Sequence, residues 1–246
     1  MDKHPIIIIM AGGLGKRMKS TLPKVLHTIE GKPMLARVIS QANKFNPYKI
    51  LIVVGQYKPI IQETIRKFIS LDNIVFINQE IAMGTGHAIQ CCQNYLKSID
   101  NRPVLILSGD TPMIKNTTIE PLFNNFNKIK LLVTTLENPF GYGRIIEANN
   151  KFVKIVEEKD CSQEEQLVKK VNCGTYVIMS DLLCSYLPLL DNNNEQKEYY
   201  LTDIVEIIKI NENIDIDLYE LQKDLQGDLV NVNTKEQLEI IRKSLE

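Results

Sequence analysis

Gly12, Gly13 and Gly15, with Arg17 close behind them, form a turn whose residue types suit phosphate chemistry. Glycines let the backbone bend close to a ligand and aim several N–H groups at phosphate oxygens, and Lys16, Arg17, Lys19 and Lys24 add positive charge. The dinucleotide-binding fingerprint fails because Met18 stands where its third glycine belongs. The Walker pattern fails because Arg17, not Ser or Thr, follows Lys16. Pro23 fixes φ ahead of Lys24, so that lysine leaves a stiff segment and can be aimed. Further on, Ser108-Gly109-Asp110 carries a carboxylate that could hold Mg²⁺ beside phosphates; an Asp closing its own turn is the plain alternative. Several cations converging with one Asp is the arrangement of a metal–nucleotide complex. Gln79 and the run Met83-Gly84-Thr85-Gly86-His87-Ala88 offer free N–H groups and room for a flat or anionic ligand. His87 reads as a polar residue of a helix start rather than a catalytic one.

The elements that must position these residues are legible from hydrophobic pattern. Ile6–Ile9, Ile50–Val54, Ile74–Ile77, Val104–Leu107 and Leu131–Thr135 are continuously apolar and β-branched, which predicts strands buried on both faces. Between them lie helical stripes: Leu35, Val38, Ile39, Ala42 and Phe45 after an opening Pro33, then Ile60, Ile61, Ile65 and Phe68, then Ala88, Ile89, Cys92 and Leu96. Strand alternating with helix predicts crossover units and a mostly parallel, Rossmann-like α/β sheet flanked by helices. In such a sheet, ligands sit beyond the carboxyl ends of the strands, where the motifs above fall. After Leu136, the segments Tyr142–Glu147, Phe152–Val156 and Val171–Met179 predict a small antiparallel lobe. A helix is expected from Thr202 to about Ile210. Another is expected from Lys235 onward, where Thr234 and Gln237 have capping-box spacing. The expectation is one domain over residues 1–246. A nucleotide lobe would take about 1–136 plus the C-terminal return, and a sugar lobe about 137–203.

Composition narrows the function. The chain has 246 residues, 29 Lys+Arg against 30 Asp+Glu and a net charge of −1, which excludes a broad basic surface for nucleic acid, so any anion site must be small. Five scattered cysteines and three histidines without ligand spacing predict reduced thiols, no structural zinc and a cytoplasmic protein. The apolar run Ile6–Met10 is far shorter than the ~18 residues of a membrane-spanning helix, so no membrane partner is expected.

Taken in order, Met10–Met18, Leu22–His27, Gln79 with Gly84–Ala88, Leu107–Pro112, Gly141–Ile145, Ile155–Glu157, Asn172, Glu198–Asp203 and Val232-Asn233 resemble one family. It is the uridylyltransferase domain of bacterial N-acetylglucosamine-1-phosphate uridylyltransferases, in the nucleotide-sugar pyrophosphorylase superfamily. The resemblance implies the nucleotide-diphospho-sugar transferase fold. It implies Mg²⁺-dependent joining of UTP and N-acetylglucosamine 1-phosphate into UDP-N-acetylglucosamine and pyrophosphate, with Mn²⁺ as a possible substitute. Met10, Ala11, Gly12, Gly13, Gln79, Gly84 and Thr85 would hold uracil and ribose, with Ser108 and Gly109 beside the nucleotide. Gly15, Arg17 and Lys24 would grip phosphates, and Asp110 and Asn233 would bind the metal. Gly143, Glu157, Asn172, Tyr200 and Thr202 would line the sugar pocket.

Three departures bear on specificity. Gly12 stands where this branch usually has alanine, as in thymidylyl and guanylyl relatives; Lys16 replaces a common threonine; and Ser108 stands where some relatives carry tyrosine. The alternatives are therefore a same-fold transferase for another nucleotide or sugar 1-phosphate, or a non-catalytic nucleotide-sugar binding subunit. The chain also lacks the hexapeptide repeats of the bifunctional enzymes, so no left-handed β-helix domain and no acetyltransferase activity are expected, and the protein would be a monomer or weak homo-oligomer.

Overall fold

The computed structural model describes residues 4–13 and 15–245, without the Lys16 side chain. The chain opens with β1 (Ile6–Met10), then a hairpin of β2 (Thr28–Ile29) and β3 (Lys32–Pro33), α1 (Met34–Ala42), β4 (Lys49–Val54), α2 (Lys58–Arg66) and β5 (Ile74–Asn78). There follow α3 (Thr85–Gln90), α4 (Gln93–Lys97), β6 (Pro103–Ser108), α5 (Asn116–Ile119), β7 (Ile129–Thr135), β8 (Arg144–Ala148) and β9 (Lys151–Val156). The last elements are α6 (Gln163–Gln166), β10 (Lys170–Met179), α7 (Ser180–Tyr186), α8 (Asp203–Glu212), β11 (Asp217–Glu220) and α9 (Lys235–Lys243).

The central sheet runs β11-β7-β10-β6-β1-β4-β5, and the β8–β9 hairpin hangs from the start of β10. β1 is parallel to both β4 and β6, with Met10 level with Val53 on one side and Ser108 on the other. β4 is parallel to β5, with Val54 level with Asn78. Four strands thus end in one line, and the residues that follow them share one rim.

The apolar runs explain this arrangement. Odd and even residues of β1 point to opposite faces, and both faces are covered. Ile6 and Ile8 pack with residues of α3, α7 and α8, whereas Ile7 and Ile9 pack with α1 and α2. β5 is the exception to burial on both faces; it is the sheet edge and its side chains are half-buried. Pro33 precedes α1 at the cap position rather than inside the first turn, and it pairs with Thr28 in the hairpin. The second helical stripe is narrower than its spacing predicts: Ile61 and Ile65 are buried, while Ile60 and Phe68 are each 43% exposed. The third is two short helices broken at Cys91-Cys92. The expected strand at Tyr142 begins two residues later, because Tyr142 and Gly143 form the loop that meets the site.

β10 joins the two regions. It is antiparallel to β7 through both halves; its second half also pairs with β6 inside the central sheet, and its first half with β8. An irregularity between Asn172 and Tyr176, with Gly174 at φ +68°, bends the strand between these duties. A third cluster, Met18, Ile29, Met34, Val232, Leu238 and Ile241, seats α9 against the β2–β3 hairpin. Among the described residues, no helix is long and apolar enough to cross a membrane.

Candidate active site

At the shared rim, β6 runs into Gly109 and Asp110. Gly109 donates its N–H to Met10 O at 2.9 Å, and a Cβ on it would lie 3.1 Å from that oxygen, so the two strand ends pack as closely as glycine allows. Asp110 is 7% exposed. Its Oδ1 accepts from Ser108 Oγ at 2.6 Å and Asn231 Nδ2 at 3.1 Å, and its Oδ2 is ion-paired with Lys24 Nζ. Lys24 Nζ also donates to Asn233 Oδ1 at 3.0 Å, and Arg17 donates to the same oxygen at 3.0 Å. Gly15 makes this approach possible, since its φ is +60° and a Cβ there would come within 2.8 Å of Lys24 Cβ.

Asn233 comes from the far end of the chain. Val232 N donates to Asp110 O at 2.8 Å, and the capping box of α9 fixes the next residues. Thr234 Oγ1 accepts from Gln237 N at 3.3 Å, and Gln237 Oε1 accepts from Asn233 N at 2.7 Å. Asp110 and Asn233 therefore focus two oxygens on one cation, here the Lys24 ammonium. A carboxylate and an amide oxygen are the hard donors Mg²⁺ takes, and such sites commonly complete the shell with substrate phosphates and water. Among the described residues there is no group of three or more His, Cys, Asp or Glu that could hold a metal.

A second cluster lies past the ends of β1 and β5. Gln79 follows β5, is 5% exposed, and donates from Nε2 to Gly84 O at 3.1 Å. A Cβ on Gly12 would sit 2.9 Å from Gln79 Oε1, so Gly12 leaves that oxygen clear. Gly84 has φ +105°, and a Cβ there would strike Tyr199 O at 2.6 Å. The segment ending in Thr202 clamps this loop from behind, through Tyr199 N to Met83 O at 2.8 Å and Gly86 N to Tyr199 O at 2.7 Å.

The opposite wall starts at Glu157, just past β9. Thr202 Oγ1 donates to Glu157 Oε1 at 2.9 Å, and a Cβ on Gly143 would meet Glu157 Oε2 at 3.5 Å. Asn172 N donates to Gly143 O at 2.9 Å. Burial pushes the Glu157 carboxyl above its usual range; the Thr202 hydrogen bond opposes this and Asp160 adds to it. Asp203, at the start of α8, is pushed up to about 6 by burial first and then by Glu157, Asp191, Glu206 and Asp160. Tyr200 donates to Asp160 Oδ2 at 3.1 Å, and burial helps push its hydroxyl up to about 12. Behind the wall, Arg144 is 1% exposed, pairs with Glu158 Oε2 at 2.7 Å and donates to Tyr142 O, while the same Glu158 oxygen accepts from Gly141 N at 2.9 Å.

The MobA-like NTP transferase domain matches residues 7–185. The chain belongs to the MobA-like NTP transferase family. Within that family it is 45% identical, over 96% of its length and 94% of the other's, to a protein of Acanthamoeba polyphaga mimivirus named "Probable UDP-N-acetylglucosamine pyrophosphorylase". It is 43% identical over 82% of its length to the bifunctional protein GlmU of Clostridium botulinum, of which it spans 44%. Two solved structures share the fold. One is a UDP-glucose pyrophosphorylase complexed with UDP-glucose, with TM-score 0.74, 18% identity and coverage of 98% of this chain and 100% of that one. The other is the inositol-1-phosphate CTP transferase from T. maritima, with TM-score 0.71, 14% identity and coverage of 98% and 94%. The expected kinship with the UDP-N-acetylglucosamine pyrophosphorylases and the expected Rossmann-like fold are both borne out.

In this NTP transferase, Arg17, Lys24, Ser108, Asp110 and Asn233 meet at one point, Gly12, Gln79 and Gly84 at a second, and Gly143, Glu157 and Thr202 at a third. Other expected residues are engaged structurally. Thr85 Oγ1 accepts from Leu201 N at 3.0 Å, and the Asn172 amide is taken by Tyr176 OH at 2.6 Å and Gly174 N at 3.1 Å. Gly13 has nothing within 4 Å of a would-be Cβ. Leu14 and the Lys16 side chain lie outside the described residues. Sequence reasoning missed Asn231, although it stands two residues before Asn233 in non-helical chain, a spacing that can return side chains to one side. It also missed Asp203 and the Arg144–Glu158 pair, which no local spacing announces.

Proposed function

We propose that this transferase joins UTP and N-acetylglucosamine 1-phosphate to form UDP-N-acetylglucosamine and pyrophosphate. The observation that carries the reading is the Lys24 ammonium shared by Asp110 and Asn233, with Arg17 on the same oxygen. The near full-length relationship to the mimivirus protein supports the choice of substrates. The sugar phosphate is already ionised, so its oxygen attacks the α-phosphorus directly, the bond from that phosphorus to the bridging oxygen breaks, and pyrophosphate leaves. No general base is required. The barrier lies in bringing two anions into line while charge gathers on the leaving group, so positioning and fixed positive charge supply the catalysis.

Within that scheme Arg17 and Lys24 hold the phosphates, and Asp110 and Asn233 are the residues that would hold Mg²⁺, or Mn²⁺ in its place. Bound there, the ion would neutralise phosphate charge. Gln79, Gly12 and Gly84 seat the base in a nucleotide lobe of about residues 1–136 plus the C-terminal return. Glu157, Thr202, Gly143, Asn172 and Tyr200 form the sugar side at about 137–203. Five free cysteines support a reducing cytoplasmic setting, and we take the working form to be a monomer or weak homo-oligomer.

The test is pyrophosphate release from the four NTPs paired with glucose, N-acetylglucosamine and mannose 1-phosphates. UTP with N-acetylglucosamine 1-phosphate is expected to be fastest. A faster pair reassigns the substrate, and no release from any pair removes the enzymatic reading.

A further inference from the structure

Among the described residues no charged side chain is more deeply buried than Arg144, at 1% exposure. Burying a guanidinium is costly, and here the cost is incompletely offset, because Arg144 Nε has no hydrogen-bond partner. What its two terminal nitrogens hold is the loop ahead of β8. One donates to Tyr142 O, and the other pairs with Glu158 Oε2 at 2.7 Å, the same oxygen that accepts from Gly141 N at 2.9 Å. Arg144 and Glu158 thus bracket Gly141 and Tyr142, taking the N–H of one and the carbonyl of the other. Tyr142 N donates to Pro139 O at 3.2 Å, and Gly143 O accepts from Asn172 N at 2.9 Å. Of the three N–H groups of this loop, only that of Gly143 has no acceptor among the described residues, although Gly143 is buried. A buried backbone donor calls for a partner, and this one lies beside Glu157.

We propose that Arg144 and Glu158 are positioning residues that aim the Gly143 N–H at an oxygen of the sugar phosphate, and so set the affinity for that substrate without setting the affinity for the nucleotide. This rests on the reading of Gly143 and Glu157 as the sugar side of the site. Gly141 has φ +86° and open space around it, so its own sterics leave the loop free to pivot there. The bracket removes that freedom. It stands on a rigid base, since Arg144 opens β8 level with Val156 of β9, and Glu158 follows β9 by two residues. A hydrogen bond weakens steeply as its angle departs from linear, so a pivot at Gly141 would cost the contact to the sugar. Gly12, Gln79 and Gly84 follow other strands, and no contact of the bracket reaches them.

The experiment measures KM for N-acetylglucosamine 1-phosphate and for UTP, each with the other saturating, in the wild type, Arg144→Met, Glu158→Ala and Glu158→Gln. Thermal melts establish which variants are folded, and Arg144→Met keeps the test open if Glu158→Ala does not fold. In each folded methionine or alanine variant, KM for the sugar phosphate is expected to rise about tenfold, the scale of one misaligned hydrogen bond, with KM for UTP held within about twofold. Glutamine keeps an oxygen that can accept from both Gly141 N and Arg144, so Glu158→Gln should stay within about threefold of wild type in both. A role in stability alone would lower the folded fraction, and with it the apparent kcat, and leave both KM values where they were. Folded methionine and alanine variants with an unchanged KM for the sugar phosphate, or with both KM values raised together, overturn the positioning role. A wild type that does not turn over N-acetylglucosamine 1-phosphate overturns instead the substrate reading on which it rests.

Discussion

The Val232 N–H donates to the Asp110 carbonyl at 2.8 Å, joining two residues 122 positions apart in sequence and fixing Asn233 beside the end of β6. Val232 is wholly buried with Met18, Ile29, Met34, Leu238 and Ile241, so the pairing of Asp110 with Asn233 depends on a satellite core remote from the main sheet. Leu238→Ala is expected to cost about 2–5 kcal/mol, the range for a buried leucine. Urea unfolding measures that loss. Mn²⁺ titration followed by electron paramagnetic resonance should show weaker binding in the folded variant, and unchanged Mn²⁺ affinity would uncouple the satellite core from the site.

If Arg17 and Lys24 hold phosphates as proposed, removing either should act on turnover. Arg17→Ala and Lys24→Ala are each expected to lower kcat by about 10²-fold or more, the effect of losing one preorganised charge-stabilising donor. Steady-state pyrophosphate release checks this, and near-normal turnover in both would remove them from the reaction. Asp110→Asn should raise the metal concentration needed for half-maximal rate.

Breaking the Arg144–Glu158 pair should depend on which side is cut. Glu158→Ala leaves the Arg144 guanidinium buried without its carboxylate and is expected to cost about 3–5 kcal/mol, whereas Arg144→Met replaces the charge with apolar volume and should cost clearly less. Chemical denaturation of the two variants tests the order. A larger loss in Arg144→Met would mean that the Arg144 contact to Tyr142 O, not the ion pair, dominates.

Asp203 predicts a pH effect of definite sign. Its carboxyl is pushed from 3.8 up to about 6 in the folded protein, so between those values the native state holds a proton that the unfolded chain has released. Stability contributed by this group therefore declines as pH rises through that window and stays low above it. Asp203→Asn should raise Tm at pH 7.5 and leave it nearly unchanged at pH 3.5. A variant less stable than wild type at pH 7.5 would show that Asp203 makes a favourable contact outweighing its burial.

The β-branched runs were legible as strands because a sheet covered by helices demands continuous apolarity, and the glycine and Asp110 motifs were legible because parallel strands deliver their following residues to one rim. β11 and the β2–β3 hairpin were not. Asp217–Glu220 is short and half-exposed, and it is held by pairing with β7 rather than by its own pattern. The hairpin turns on Glu30 and Gly31, both at positive φ, within only two residues of strand on each side. The course of β10 through two regions was hidden for a related reason: periodicity reports which residues are buried, not which neighbour covers them. Likewise the links from Gln79 to His87 and from Asp110 to Asn231 arise from tertiary approach.

The most direct test of the charge-focusing site is a crystal structure with UTP and Mn²⁺, reading the ion from its anomalous signal. The account predicts one peak bridged by Asp110 and Asn233 to the triphosphate, with Lys24 moved from the carboxylate onto phosphate. A triphosphate bound away from Gly15 and Arg17, or an ion that touches neither Asp110 nor Asn233, would contradict it.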